Sequence, residues 1–146
     1  MTKVTELYDG FLTKISDYNF LSEERTDAEV DEELYGYLKA ACRVFSRKCK
    51  QDLTIIEDEM TGEKTFVSTL TFMEEDILIA LMLVEYLKPQ VLSSDTIRQN
   101  MSDKDFQVYS QANHLRELGL LYRLFRTEAR AMISEYTLQD IEDWFK

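Results

Sequence analysis

The residues TFMEEDILIALMLVEYLKP, Thr71 to Pro89, decide the fold. Thr71 and Glu74 stand at capping-box spacing. The Thr hydroxyl accepts from the Glu74 N–H, and the Glu side chain reaches back to the start of the helix. Glu74, Glu75 and Asp76 fill the first turn, where the helix dipole favours negative charge. Pro89 predicts the stop, because it lacks the amide hydrogen a helix interior uses. Between these signals, Ile77 to Val84 are apolar without a break. A helix apolar on every side is buried on every side. The stretch therefore predicts a central buried helix over 72–88, with the rest of the chain wrapped around it.

Upstream, Val4, Leu7, Tyr8, Phe11, Leu12, Ile15 and Tyr18 recur at helical spacing. They predict an amphipathic helix near 2–19, capped by Thr2 or Thr5, and a loop from Asn19 to Arg25. Thr26 and Glu29 form a second capping box. The helix behind it carries Val30, Leu34, Leu38, Ala41, Val44 and Phe45 on one face and is expected to end near Lys50. After Gln51 the pattern turns β-branched, and Gly62 is placed to supply a positive φ. This predicts one small β-hairpin over 52–70. A lone hairpin is marginal in water, so it must lie on the helices or pair with another chain.

Downstream, Gln90 to Met101 reads as a short helix or ordered loop. Ser102 to Asp105 is rich in capping residues. A long helix then runs to about Glu135 through Phe106, Tyr109, His114, Leu115, Leu118, Leu121, Tyr122, Phe125, Ala129, Met132 and Ile133. Gly119 inside it suggests a close helix approach. The tail 137–146 sets Leu138, Ile141, Trp144 and Phe145 at helical spacing, an apolar face suited to docking on the core or on a partner. The expected fold is mainly α, a helical bundle in one domain over 1–146.

Composition bounds the function. The 146 residues give room for one real core. A net charge of -11 disfavours general nucleic-acid binding and adhesion to anionic membranes. The longest apolar run is too short for a bilayer, and no signal peptide is expected. Cys42 and Cys49, seven apart on one helix, would stand about 10 Å from each other, beyond disulfide reach. They read as two buried thiols in a reducing compartment.

Chemical signatures are sparse. One histidine, His114, makes no multi-histidine metal site, and no Gly-rich phosphate loop appears. Counting Glu57 as the first position of an EF-hand loop places Gly62 correctly. It leaves Ser68 where a bidentate Glu is required, so that reading fails. The acids Glu74 to Asp76 are explained by the helix start. No catalytic residue, metal or cofactor is expected. Two basic stripes remain: Lys39, Arg43, Arg47 and Lys50 on the second helix, and Arg116, Arg123, Arg126 and Arg130 on the long one. They suit a solvated face with local pairs or contact with acidic neighbouring subunits, with binding to phosphates a third reading.

The block Leu70 to Tyr136 resembles a family of small proteins of tailed bacteriophages. The matching stretches are EEDILIALMLVEYL, SDKDFQVYSQANHL and LLYRLFRTEARAMISEY, with LYDGFLTKISDYNFL and CKQDLT also fitting. Proteins of this kind are head–tail connector, or neck adaptor, components. The resemblance implies a structural virion protein and not an enzyme. It would be made in the host bacterial cytoplasm and assembled into a homo-oligomeric ring, dodecameric, beneath the portal protein. Portal and neighbouring neck or tail proteins would be its partners, with DNA passing nearby without specific binding. The subunit interface would then use Lys39, Arg43, Arg47, Arg116, Arg123, Arg126 and Arg130 against acids such as Glu29, Asp31, Glu32 and Glu33. The hairpin residues Glu57, Asp58, Glu59, Thr61 and Gly62 would face the channel or the next ring. Leu138, Ile141, Trp144 and Phe145 would dock a partner. The competing class is a small acidic phage-encoded inhibitor of a basic host protein. The charge permits it, but the acids are interspersed with Arg and Lys rather than gathered on one face.

Overall fold

The computed structural model describes residues 1–15, 26–100 and 107–145. The order is α1 (Val4–Lys14), α2 (Asp27–Phe45), β1 (Ile55–Glu57), β2 (Lys64–Phe66), α3 (Phe72–Asn100) and α4 (Gln107–Trp144). The chain is a mainly α bundle with one small antiparallel hairpin. Among the described residues no helix is long and apolar enough to cross a membrane.

The central helix is as its composition requires. Every residue from Ile77 to Val84 is buried. Phe11 of α1, Tyr37 of α2 and Tyr86 of α3 meet in a ring cluster with centroids 5.7–6.0 Å apart. Phe45 of α2 meets Tyr136 of α4 edge-on at 5.3 Å. α4 runs antiparallel along α3: Glu74, at the start of α3, touches Tyr136 near the end of α4. Ala80 and Leu83 share a cleft with Phe125 and Met132. Both capping boxes form. Glu29 N donates to Thr26 Oγ1, and Thr26 N to Glu29 Oε2, each at 3.3 Å. Glu74 N donates to Thr71 Oγ1 at 3.2 Å, and Thr71 N to Glu74 Oε1 at 2.8 Å.

Several expectations need correction. α3 does not stop before Pro89 but runs through it to Asn100. Pro89 is exposed, so its missing amide removes a bond on the wet side rather than stranding a buried carbonyl. Gln90 to Asn100 form the last turns of α3 rather than a short helix or loop of their own. The cap of α1 is neither Thr2 nor Thr5: Lys3 holds that position without a side-chain bond. Thr2 instead is buried and takes the Leu70 N–H on its hydroxyl at 2.8 Å. α2 ends at Phe45, not near Lys50: residues 46–48 form a turn, tightened by the i→i−3 bond from the Lys48 amide to the Phe45 carbonyl. Arg47 and Lys50 therefore lie past the helix, and Cys49 shares no helix with Cys42. Val44 and Leu121, assigned to core faces, are exposed.

The tail is the last part of α4, which continues unbroken to Trp144, rather than a helix of its own. The strands of the hairpin cover only three residues each, paired Ile55 with Phe66, Ile56 with Thr65 and Glu57 with Lys64. Gly62 has the expected positive φ, 72°. Nothing among the described residues stands within 4 Å of a Cβ built on Gly119, so no helix packs close there. The close approach is at Gly10, where a Cβ would meet Ile79 Cδ1 at 2.6 Å. The expected loop from Asn19 to Arg25, the cap-rich run from Ser102 to Asp105, Tyr18 and Phe106 lie outside the described residues. So do the side chains of Tyr109, His114, Leu115 and Trp144.

Candidate functional site

The densest polar cluster is a buried clasp at one end of the bundle. Glu74 is 1% exposed. Its Oε1 takes the Thr71 N–H, while its Oε2 accepts from the Tyr136 hydroxyl at 2.8 Å and the Cys49 thiol at 3.3 Å. The Tyr136 oxygen in turn accepts the Lys50 N–H at 2.9 Å, and Lys50 Nζ stands 5.7 Å from the Tyr136 ring centre. Glu74 forms no salt bridge among the described residues. Burial pushes its pKa up, but bonds from Thr71, Tyr136 and Cys49 outweigh this and hold it below the usual carboxylate range. Burial and the neighbouring carboxylate push the Tyr136 hydroxyl up. The Cys49 thiol is pushed up to about 11, chiefly by burial, and Cys42 to about 12.

An ionised acid surrounded by protonated donors is therefore the resting state. A thiol this hard to ionise is a poor nucleophile. The clasp joins α3, α4 and the turn after α2, and its chemistry is structural. The capping role of Glu74 was legible from the sequence. Its second oxygen was not, because nothing local announces that Cys49 and Tyr136 converge on it. A core-facing Tyr on the long helix, a residue that seeks a partner for its hydroxyl when buried, was the available signal.

The hairpin tip is open. Residues 57–63 are all exposed, with Met60 96% exposed. The turn is built locally. Asp58 Oδ1 takes the Met60 N–H, the Asp58 carbonyl takes the Gly62 N–H at 2.7 Å, and Asp58 N donates to the Glu63 carbonyl. Glu57 and Glu63 are engaged at arm's length by Lys64 (3.9 Å) and Lys3 (3.3 Å). The base of the hairpin is anchored within its own chain. Phe66 is wholly buried, its N–H bonds the Thr2 carbonyl at 2.8 Å, and Lys3 bridges Thr65 beside β2.

The basic residues divide. Lys39 lies over the Tyr35 ring at 4.7 Å, with Lys64 at 4.8 Å from the same centroid. Arg43, Arg47, Arg116, Arg123, Arg126 and Arg130 are exposed, and none forms a salt bridge among the described residues. The local i,i+4 pairs that would make these stripes ordinary solvated faces are absent there. Of the acids named as their counterparts, Glu29 is bound into its capping box and Glu33 accepts from the Tyr37 hydroxyl at 2.8 Å. Asp31 and Glu32 are exposed on α2. Leu138, Ile141 and Phe145 are also exposed, so they do not cover the chain's own core.

A cleft of about 270 Å³ opens between α1, α3 and α4, lined by Lys14, Ala80, Leu83, Phe125, Glu128 and Met132. It is mostly apolar and brings together no set of polar groups able to do chemistry. Among the described residues no group of three or more His, Cys, Asp or Glu is placed to hold a metal ion. Compared with protein-family models, with curated proteins and with solved structures, the chain finds no match.

Proposed function

We propose that this chain is a structural subunit of the neck of a tailed bacteriophage, one wedge of a ring that links the portal to the tail around the DNA channel. The carrying observation is the outer side of α4. It holds exposed arginines that form no salt bridge among the described residues, beside exposed apolar residues at its end, a surface suited to neighbouring protein. The resemblance of Leu70 to Tyr136 to connector proteins supports the same reading. In it, the exposed tip at Glu57, Asp58, Glu59, Thr61 and Gly62 faces the lumen or the next ring, where its acids repel DNA and let it slide. Leu138, Ile141, Trp144 and Phe145 dock a partner chain.

Cryo-electron microscopy of particles from a phage that encodes this chain tests the reading. A ring of this density below the portal is the expected result. Particles free of the chain would overturn it and turn attention to basic host proteins as targets.

A further inference from the structure

α4 has two apolar faces, and among the described residues one is packed on the bundle while the other faces outward. Ala129 and Tyr136 are buried against the bundle, with Tyr122, Phe125 and Met132 packed on the same side. On the opposite side Leu120 (59% exposed), Leu124 (51%), Ala131, Leu138 (58%), Ile141 (48%) and Phe145 (88%) face outward. Completed by Thr127 and Ser134, these positions alternate in steps of four and three, the a and d spacing of a coiled coil. The middle of the seam is small. Thr127 also turns its hydroxyl back to the Arg123 carbonyl at 2.8 Å, which spends that polar group within its own helix.

The charges beside the seam are sorted by side. Arg116, Arg123 and Arg130 occupy successive g positions. Glu128 and Glu135 occupy successive e positions. In a parallel pair of helices, each g residue faces the e residue five positions on in its partner. Arg123 then meets Glu128 of the second copy, and Arg130 meets Glu135, twice over by symmetry. An antiparallel pair would set g against g and e against e, arginine facing arginine and glutamate facing glutamate. The pattern is self-complementary in one orientation only.

We infer that the outer face of α4 binds the same face of α4 in a second copy of this chain, parallel and in register, with Arg123 and Arg130 of each copy against Glu128 and Glu135 of the other. The contact goes beyond the ring reading: related by a two-fold, it closes on two copies and joins chains in pairs, whereas neighbours around a ring meet through two different faces. It names the acids the arginines meet as those of α4 rather than those of α2. The strict seven-residue repeat from Leu120 to Phe145 drifts around a straight helix, so pairing carries a slight left-handed supercoil of α4.

Sedimentation equilibrium of the full chain tests the contact. At up to about 1 mM protein and low salt, where exposed ion pairs are least screened, the wild type is expected above monomer mass. Arg123→Glu with Arg130→Glu, or Glu128→Arg with Glu135→Arg, should each weaken association by about tenfold or more. All four together should restore it, since parallel complementarity returns with the signs exchanged. Antiparallel pairing would gain nothing from the fourfold swap. Under mild oxidation, Leu124→Cys should cross-link two copies through position 124.

These sites are exposed, and unchanged circular dichroism would show that the variants fold. Overturning results are a wild type monomeric at that concentration, a single-sign variant that associates like wild type, or a fourfold variant that stays monomeric. Protection of the seam by a different protein alone would likewise overturn it. Intact pairing in a chain absent from phage particles would sustain this contact and remove the connector role. A neck ring whose α4 faces stand apart would do the reverse.

Discussion

Glu74 shows how one residue carries two duties. One oxygen starts α3, and the other closes the bundle through Tyr136 and Cys49. Replacing it by Ala strands buried donors and should cost about 2–4 kcal/mol in denaturant unfolding, with Tyr136→Phe costing about 1–2 kcal/mol. The sign of the pH effect follows from its lowered pKa. The contribution is complete above the ordinary carboxylate value of 4.5 and is lost as pH falls through the lower folded value. Glu74→Gln should therefore be less stable than wild type at pH 7, by an amount that shrinks as the buffer is acidified below about pH 4. Thermal melts of both proteins across that range check this. The raised thiols give a second expectation: Cys42 and Cys49 should react slowly with iodoacetamide at pH 8 in the folded protein and rapidly once it is unfolded. Equal rates in both states would contradict the burial.

Among the elements, those announced by local chemistry were legible in the sequence. The unbroken apolar run made α3 the centre, two capping boxes set helix starts, and Gly62 set the hairpin turn. What failed was set by tertiary context. Pro89 looks like a terminator, yet α3 passes through it because the lost bond faces water. Thr2 looks like a cap, but its hydroxyl is taken by Leu70, which no local pattern reveals. The long helix hid its second face because apolar residues on opposite sides blur a single amphipathic pattern. The glycines make the point testable. Gly10 lies against Ile79, so Gly10→Ala should destabilise by about 1–3 kcal/mol through overpacking. Gly119→Ala has open space and should stabilise by about 0.5–1 kcal/mol through better helix propensity. Chemical denaturation of the two variants should move the midpoint in opposite directions.

At the scale of the molecule, the hairpin tip and the bundle are nearly independent. Glu57→Gln, Asp58→Asn and Glu59→Gln together remove only exposed charges and one long ion pair. Stability should change by no more than about 0.5 kcal/mol. In phage particles the same changes should alter DNA retention or ejection with assembly intact, and loss of assembly would contradict the lumen assignment. The bundle itself depends on its far end. The bond from Tyr136 to Glu74 spans 62 residues, and the side of α3 that it closes is covered by α4. During synthesis the helix with the unbroken apolar run leaves the ribosome well before the segment that shields it. The nascent chain must carry Ile77 to Val84 incompletely sheltered until Tyr136 has emerged, and in that interval it exposes the kind of apolar surface that invites aggregation.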